Sequence, residues 1–146
     1  LRIEMGHVAG SELDGRTIPY DASLEGLVSK KKDFIGKRSL NRSAFTSTDR
    51  EKLVGVVPID KTTSIPEGSY IVKDPKAKLP NPKLGHVSAS CWSVEYDNPF
   101  SLAIIKDGKN MIGQKLFAMS PLKNKTIPVE IVSSHYVDPE GKRVRS

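Results

Sequence analysis

From position 52 onward the chain is a succession of short β-branched or aliphatic runs, each closed by turn-forming residues, and this grammar constrains the fold more than any other feature. The runs cover 53–57, 70–73, 84–91, 101–105, 115–119 and 126–134, and they read as six strands. Between them stand Pro66-Glu67-Gly68, Pro75, Pro80-Asn81-Pro82, Asp97-Asn98-Pro99, Asp107-Gly108-Lys109 and Pro121-Leu122-Lys123-Asn124. Proline presets φ, glycine admits positive φ, and Asp or Asn bonds its own backbone, so each separator is a turn. Short strands at such spacing predict a small antiparallel barrel or sandwich, in which closure removes edges that would pair with other chains.

Residues 1–49 follow other rules. Gly6, Gly10, Gly15 and Pro19 interrupt any long element, and Asp33 is placed to cap a helix over 34–42. The expected fold class is mainly β: an irregular α+β N-terminal segment over 1–49, a barrel over 50–138, and a mobile tail over 139–146 with no apolar period to bury. The chain opens on Leu1 rather than methionine, which reads as a fragment of a larger polypeptide.

A length of 146 residues with 37% hydrophobic and 27% charged side chains fits one globular domain, or one domain with an appendage. No run approaches the roughly 18 apolar residues of a membrane-spanning helix. The single Cys91 forbids an intrachain disulfide, so a reducing cytoplasm is the expected setting. The net charge of +6 is spread: Lys and Arg against Asp and Glu number eight and seven over 1–49, twelve and nine over 50–138, and three and one thereafter. Phosphate-tracking surfaces concentrate basic residues beside aromatics, whereas only 6% of this chain is aromatic, so nucleic acid is a weak expectation.

No phosphate-cradling glycine loop and no G-x-S-x-G elbow occurs. His86 and Cys91 are five apart on one predicted strand, which by a period of two sends them to opposite faces and argues against a Cys–His pair. His7 and His135 have no third partner at metal-ligand spacing, so no metal site is expected. Glu12 with Asp14, and Glu95 with Asp97, read as ordinary solvated loop carboxylates. Two groups remain. Glu4, in Leu1-Arg2-Ile3-Glu4-Met5-Gly6, offers two acceptor oxygens to a flat ligand edge with neighbouring N–H donors, or else pairs with Arg2. Lys30-Lys31-Lys32-Asp33 offers point charges to an anionic tail, or is an exposed basic stretch before a helix.

Three motifs in order carry a family resemblance. Leu1-Arg2-Ile3-Glu4-Met5-Gly6, Asp14-Gly15-Arg16-Thr17-Ile18-Pro19 and Lys31-Lys32-Asp33-Phe34-Ile35-Gly36-Lys37 resemble the L-R-x-E-x-G, D-x-x-T-x-P and K-x-D-F-x-G-[KR] landmarks of the aminomethyltransferase, or glycine-cleavage T-protein, family. Leu84-Gly85-His86-Val87-Ser88-Ala89-Ser90, Ser101-Leu102-Ala103 and Ile112-Gly113-Gln114-Lys115-Leu116 are similar to signposts of that family's C-terminal barrel, and Tyr136-Val137-Asp138-Pro139 resembles its sarcosine oxidase alpha-subunit branch.

The resemblance implies a tetrahydrofolate-dependent one-carbon enzyme in which a flavin site elsewhere oxidises the N-methyl group of sarcosine. The transferase region then passes that carbon to tetrahydrofolate and releases glycine. It implies Glu4 as a pterin contact and Lys32 as a basic ligand-binding position, where T-proteins carry arginine. It also puts the catalytic aspartate, the flavin and the NAD site outside this chain, with the rest of the alpha subunit and the other oxidase subunits as partners. A T-protein or dimethylglycine-oxidising relative is the second enzyme reading; a noncatalytic barrel binding nucleic acid or protein is the reading from another class.

Overall fold

A computed structural model describes residues 1–77, 80, 82–143 and 145. The predicted turn at Pro80-Asn81-Pro82 and the end of the predicted tail therefore lie partly outside the described residues. The strands are β1 (Glu51–Pro58), β2 (Tyr70–Val72), β3 (Gly85–Ser93), β4 (Asn98–Lys106), β5 (Lys115–Ser120) and β6 (Lys125–Val132). Each falls on a predicted run, and they close into an antiparallel barrel in the order β1-β4-β3-β2-β5-β6, with β6 returning to β1. The chief boundary difference is at β4, which starts at Asn98 because the chain turns at Asp97, held at φ +49°, ahead of the predicted Asp-Asn-Pro turn.

Inward residues at a period of two fill the barrel: Val54 and Val56 from β1, Ala103 and Ile105 from β4, Val129 and Ile131 from β6, with Ile65 from the loop between β1 and β2. Burying each large aliphatic side chain favours folding by about 1.5–3 kcal/mol. Backbones come closest at Gly85, where a β-carbon would sit 1.9 Å from the Ile104 carbonyl oxygen.

A second apolar cluster lies on the barrel's outside. Leu53, Val57, Phe100 and Leu102 point outward from β1 and β4 and are buried by Ile3, Val8 and Tyr136. The segment before the barrel thus covers the outer face of these strands. That explains why β4 reads as a continuous apolar run instead of alternating, since strands buried on both faces lose the polar half of the pattern. Main-chain bonds fasten the cover, from Leu53 N to the Asp21 carbonyl (2.7 Å), with the Ser23 hydroxyl donating to the Leu53 carbonyl (3.1 Å).

Of the predicted helix over 34–42 only a single turn forms, α1 (Lys37–Leu40), and a second single turn, α2 (Ser43–Thr46), follows beyond it. Asp33 caps neither. Gly36 precedes α1 at φ +93°, a left-handed conformation that no helix starting at Phe34 can pass through, and Arg42 is extended before α2.

Candidate functional site

Glu4 lies in a tight turn formed by residues 1–6, with Met5 N bonded to the Leu1 carbonyl and Gly6 N to the Ile3 carbonyl, both at 3.0 Å. The turn packs into the seam between the end of β3 and the segment after β6. Glu4's carbonyl accepts the N–H groups of Tyr136 (2.9 Å) and Val137 (3.1 Å), while its side chain is only 11% exposed. The Ser93 hydroxyl favours the ionised carboxylate and outweighs the opposing effect of burial. The Val94 N–H works in the same direction, and the carboxylate is held below the usual carboxylate range. The result is a carboxylate that is almost wholly buried. Arg2 does not pair with it; Arg2 Nη1 goes instead to Glu12 Oε2 at 3.2 Å.

Lys32 stands elsewhere, in the exposed loop between a 3₁₀ turn at Glu25–Leu27 and α1. Its backbone is well held: Lys32 N donates to the Ser29 hydroxyl at 2.9 Å, and Lys37 Nζ donates to the Lys32 carbonyl at 2.8 Å. Among the described residues no hydrogen bond or ion pair links Glu4 to Lys32.

The barrel and its covering segment enclose an open cleft of about 490 Å³, lined by residues including Glu12, Asp21, Arg50 and His86, and neither Glu4 nor Lys32 lines it. Glu12 is not the solvated carboxylate its polar surroundings predict. It is 3% exposed, accepting Ala9 N at 2.7 Å; burial pushes its pKa up, but the Ala9 N–H, the serine hydroxyls of Ser88 and Ser11, and Arg2 together bring it below the ordinary value. Asp14 is tied to the Arg16 guanidinium, which lowers it to about 2. Glu95 meets Arg143 at 2.6 Å, and Asp97 accepts the Trp92 indole N–H at 3.2 Å.

His86 and Cys91 share a face. Val87 opposes Ala103 and Ala89 opposes Leu102, so Ser88 is an extra residue in β3, and this bulge inverts the parity on which the opposite-face expectation rested. His86 opposes Ile104 and Cys91 opposes Phe100, both outward. Four partner positions still separate them along β4, so the inference that they form no catalytic pair is unaffected. The Cys91 thiol is pushed up by burial and by the Glu4 carboxylate nearby.

Residues 51–138, the whole barrel and the segment that follows it, match the model of the glycine cleavage T-protein C-terminal barrel domain. The chain belongs to this family. It is 36% identical over 146 residues to the sarcosine oxidase subunit alpha of Rhizobium meliloti (strain 1021), and 37% identical over 146 residues to that of Corynebacterium sp. (strain P-1). These alignments cover 99% and 98% of this chain but 15% of each relative, so the chain spans about a seventh of the curated relatives' length. The crystal structure of glycine cleavage system aminomethyltransferase T from Bartonella henselae superposes with a TM-score of 0.73 at 22% identity, over 94% of this chain and 37% of that one, and shares the fold. Among the described residues no helix is long and apolar enough to cross a membrane.

Sequence reasoning missed Ser93 and Tyr136, the residues that hold Glu4. Their one available signal was position, at the end of a predicted strand and just past the last, where loops carry function.

Proposed function

We propose that the chain is the folate-side C-terminal region of a sarcosine-oxidase-type alpha subunit, in a cytoplasmic enzyme that demethylates sarcosine to glycine and passes the one-carbon unit to tetrahydrofolate. The observation that carries this reading is that the likeness to alpha subunits runs through nearly all of the chain, including the segment ahead of the barrel that holds Glu4 and Lys32. In this reading the rest of the alpha subunit and the other oxidase subunits are its partners, and the flavin, the NAD site and the reacting acid lie in sequence beyond this chain.

Glu4 suits a pterin edge. An ionised carboxylate accepts two parallel N–H···O bonds from neighbouring donors, which is the contact this reading asks of Glu4. Tetrahydrofolate, when bound, supplies the nucleophilic nitrogen that accepts the carbon. The role of Glu4 is then to bind and orient the ring. Lys32 is a point charge for the carboxylates of the folate tail, with a backbone fixed by Ser29 and Lys37. The barrel lids one side of the cavity, and its contribution is rigidity.

The test uses the complete enzyme and sarcosine labelled in its methyl carbon. With tetrahydrofolate present, the label is expected in methylene-tetrahydrofolate at a yield matching glycine release. Label released wholly as free formaldehyde, or no turnover of sarcosine, overturns the reading.

A further inference from the structure

We propose that Tyr136 is a positioning residue for Glu4, fixing the direction in which the Glu4 carboxylate faces a bound pterin; this rests on the assignment of Glu4 as the pterin acceptor.

A six-residue turn with no strand or helix of its own cannot hold a side chain in one direction, because short loops open locally at little cost. Glu4 is held from outside. Its carbonyl takes two main-chain donors, Tyr136 N at 2.9 Å and Val137 N at 3.1 Å. The turn lies so close to that segment that a β-carbon on Gly6 would come within 2.7 Å of the Ser134 carbonyl oxygen.

The segment after β6 is irregular too, so it needs an anchor, and the Tyr136 ring supplies one. It lies on Phe100 with centroids 4.4 Å apart and planes within 6°. Tyr96 meets it edge-on at 4.7 Å, and its hydroxyl sits 3.1 Å from Asn98 Nδ2. Phe100 is wholly buried and Asn98 is 5% exposed, both on β4 where it pairs with β3. A continuous mechanical path therefore runs from β4 through the Tyr136 ring and the two amides to Glu4. Sites hold their geometry when the residues behind the contacting group are themselves locked by packing and hydrogen bonds, and Tyr136 occupies that place.

Substituting Tyr136 leaves the main-chain donors present but unanchored, so the consequence is misdirection of Glu4 rather than its loss. The readout is therefore selectivity. Calorimetric titration of the complete enzyme with tetrahydrofolate and with its 2-desamino analogue, which lacks the exocyclic donor, gives a preference ratio. The unaltered enzyme is expected to prefer tetrahydrofolate by about tenfold or more, the value of a charge-assisted hydrogen bond. Y136A is expected to abolish that preference, while Y136F, which keeps the stacked ring, retains it. L102A loosens the same outer cluster without touching Glu4 and is expected to retain it as well. If Y136A is too unstable to purify, Y136L replaces it with the same expectation. An undiminished ratio in Y136A or Y136L overturns the proposal, as does an equal loss in L102A. E4Q separates the two failures: if E4Q itself keeps the full preference, the assignment of Glu4 is wrong, whereas loss in E4Q with retention in Y136A removes Tyr136 alone.

Discussion

Asp21 receives the guanidinium of Arg50 on both carboxylate oxygens, at 3.0 and 3.2 Å from Nε, with Arg50 Nη2 closing a further contact to Oδ2. Lys52 Nζ adds a second cation at 3.0 Å. Asp21 belongs to the covering segment and the two cations to the entry of β1, so this cluster ties the two parts of the chain together. Arg50 extends the tie by donating to the carbonyls of Arg16 (2.9 Å) and Ala44 (3.3 Å).

Removing the acid leaves two cations largely buried and without their carboxylate, which costs more than the pair itself contributes. D21A is therefore expected to lose about 2–3 kcal/mol, reduced from the fully buried case because the partners retain some exposure. Urea denaturation measures it. In a double-mutant cycle with R50A the two losses are expected to be strongly non-additive.

The same carboxylate predicts the acid limb of stability. Burial raises the pKa of Asp21, but Arg50, the Ile18 N–H and Lys52 outweigh it and the net value is lowered; Glu4 and Glu12 are lowered as well. Folded carboxylates that hold protons less firmly than unfolded ones contribute stability that is complete above the ordinary carboxylate range. It is lost as pH falls through the lowered folded values. Urea midpoints are expected to fall on acidification, and less steeply in D21N. Parallel slopes in the two proteins would remove Asp21 from the account.

Cys91 reports on Glu4. Burial first, and the Glu4 carboxylate second, push the thiol up, so alkylation by iodoacetamide is expected to be slow and its pH profile displaced to high pH. E4Q removes the negative charge and moves that profile to lower pH. An unmoved profile means that the carboxylate and the thiol do not sense one another.

Gly55 makes room for the ring that carries Tyr136. A β-carbon there would meet Phe100 Cε2 at 2.6 Å and the Ser133 carbonyl oxygen at 2.4 Å. G55A must displace Phe100 or the backbone after β6, at a cost of about 1–3 kcal/mol or more. The near-ultraviolet circular dichroism of the stacked aromatics is expected to weaken with it.

The barrel was legible because strand formation depends on local residue chemistry: β-branched runs between prolines, glycines and Asp or Asn. The bulge at Ser88 was not, since one extra residue changes no composition yet inverts every later side chain in its strand. The helix over 34–42 failed at Gly36, whose left-handed backbone is as compatible with a turn as with a helix end. Glu4 was visible as a candidate from its setting and its family motif. Its partners Ser93, Tyr136 and Val137 were not, because they meet it only through packing across most of the chain's length. Glu12 illustrates the same limit: a serine and glycine neighbourhood predicts solvent, whereas the fold places it beneath Arg2 and beside β3.

The most direct measurement is the affinity of the complete enzyme for tetrahydrofolate with Glu4 intact and with E4Q, by calorimetric titration. If the segment ahead of the barrel presents Glu4 to the pterin, E4Q weakens binding by about tenfold or more, as loss of a charge-assisted hydrogen bond requires. An affinity unchanged by E4Q, in a protein whose urea midpoint shows it to be folded, would contradict the account.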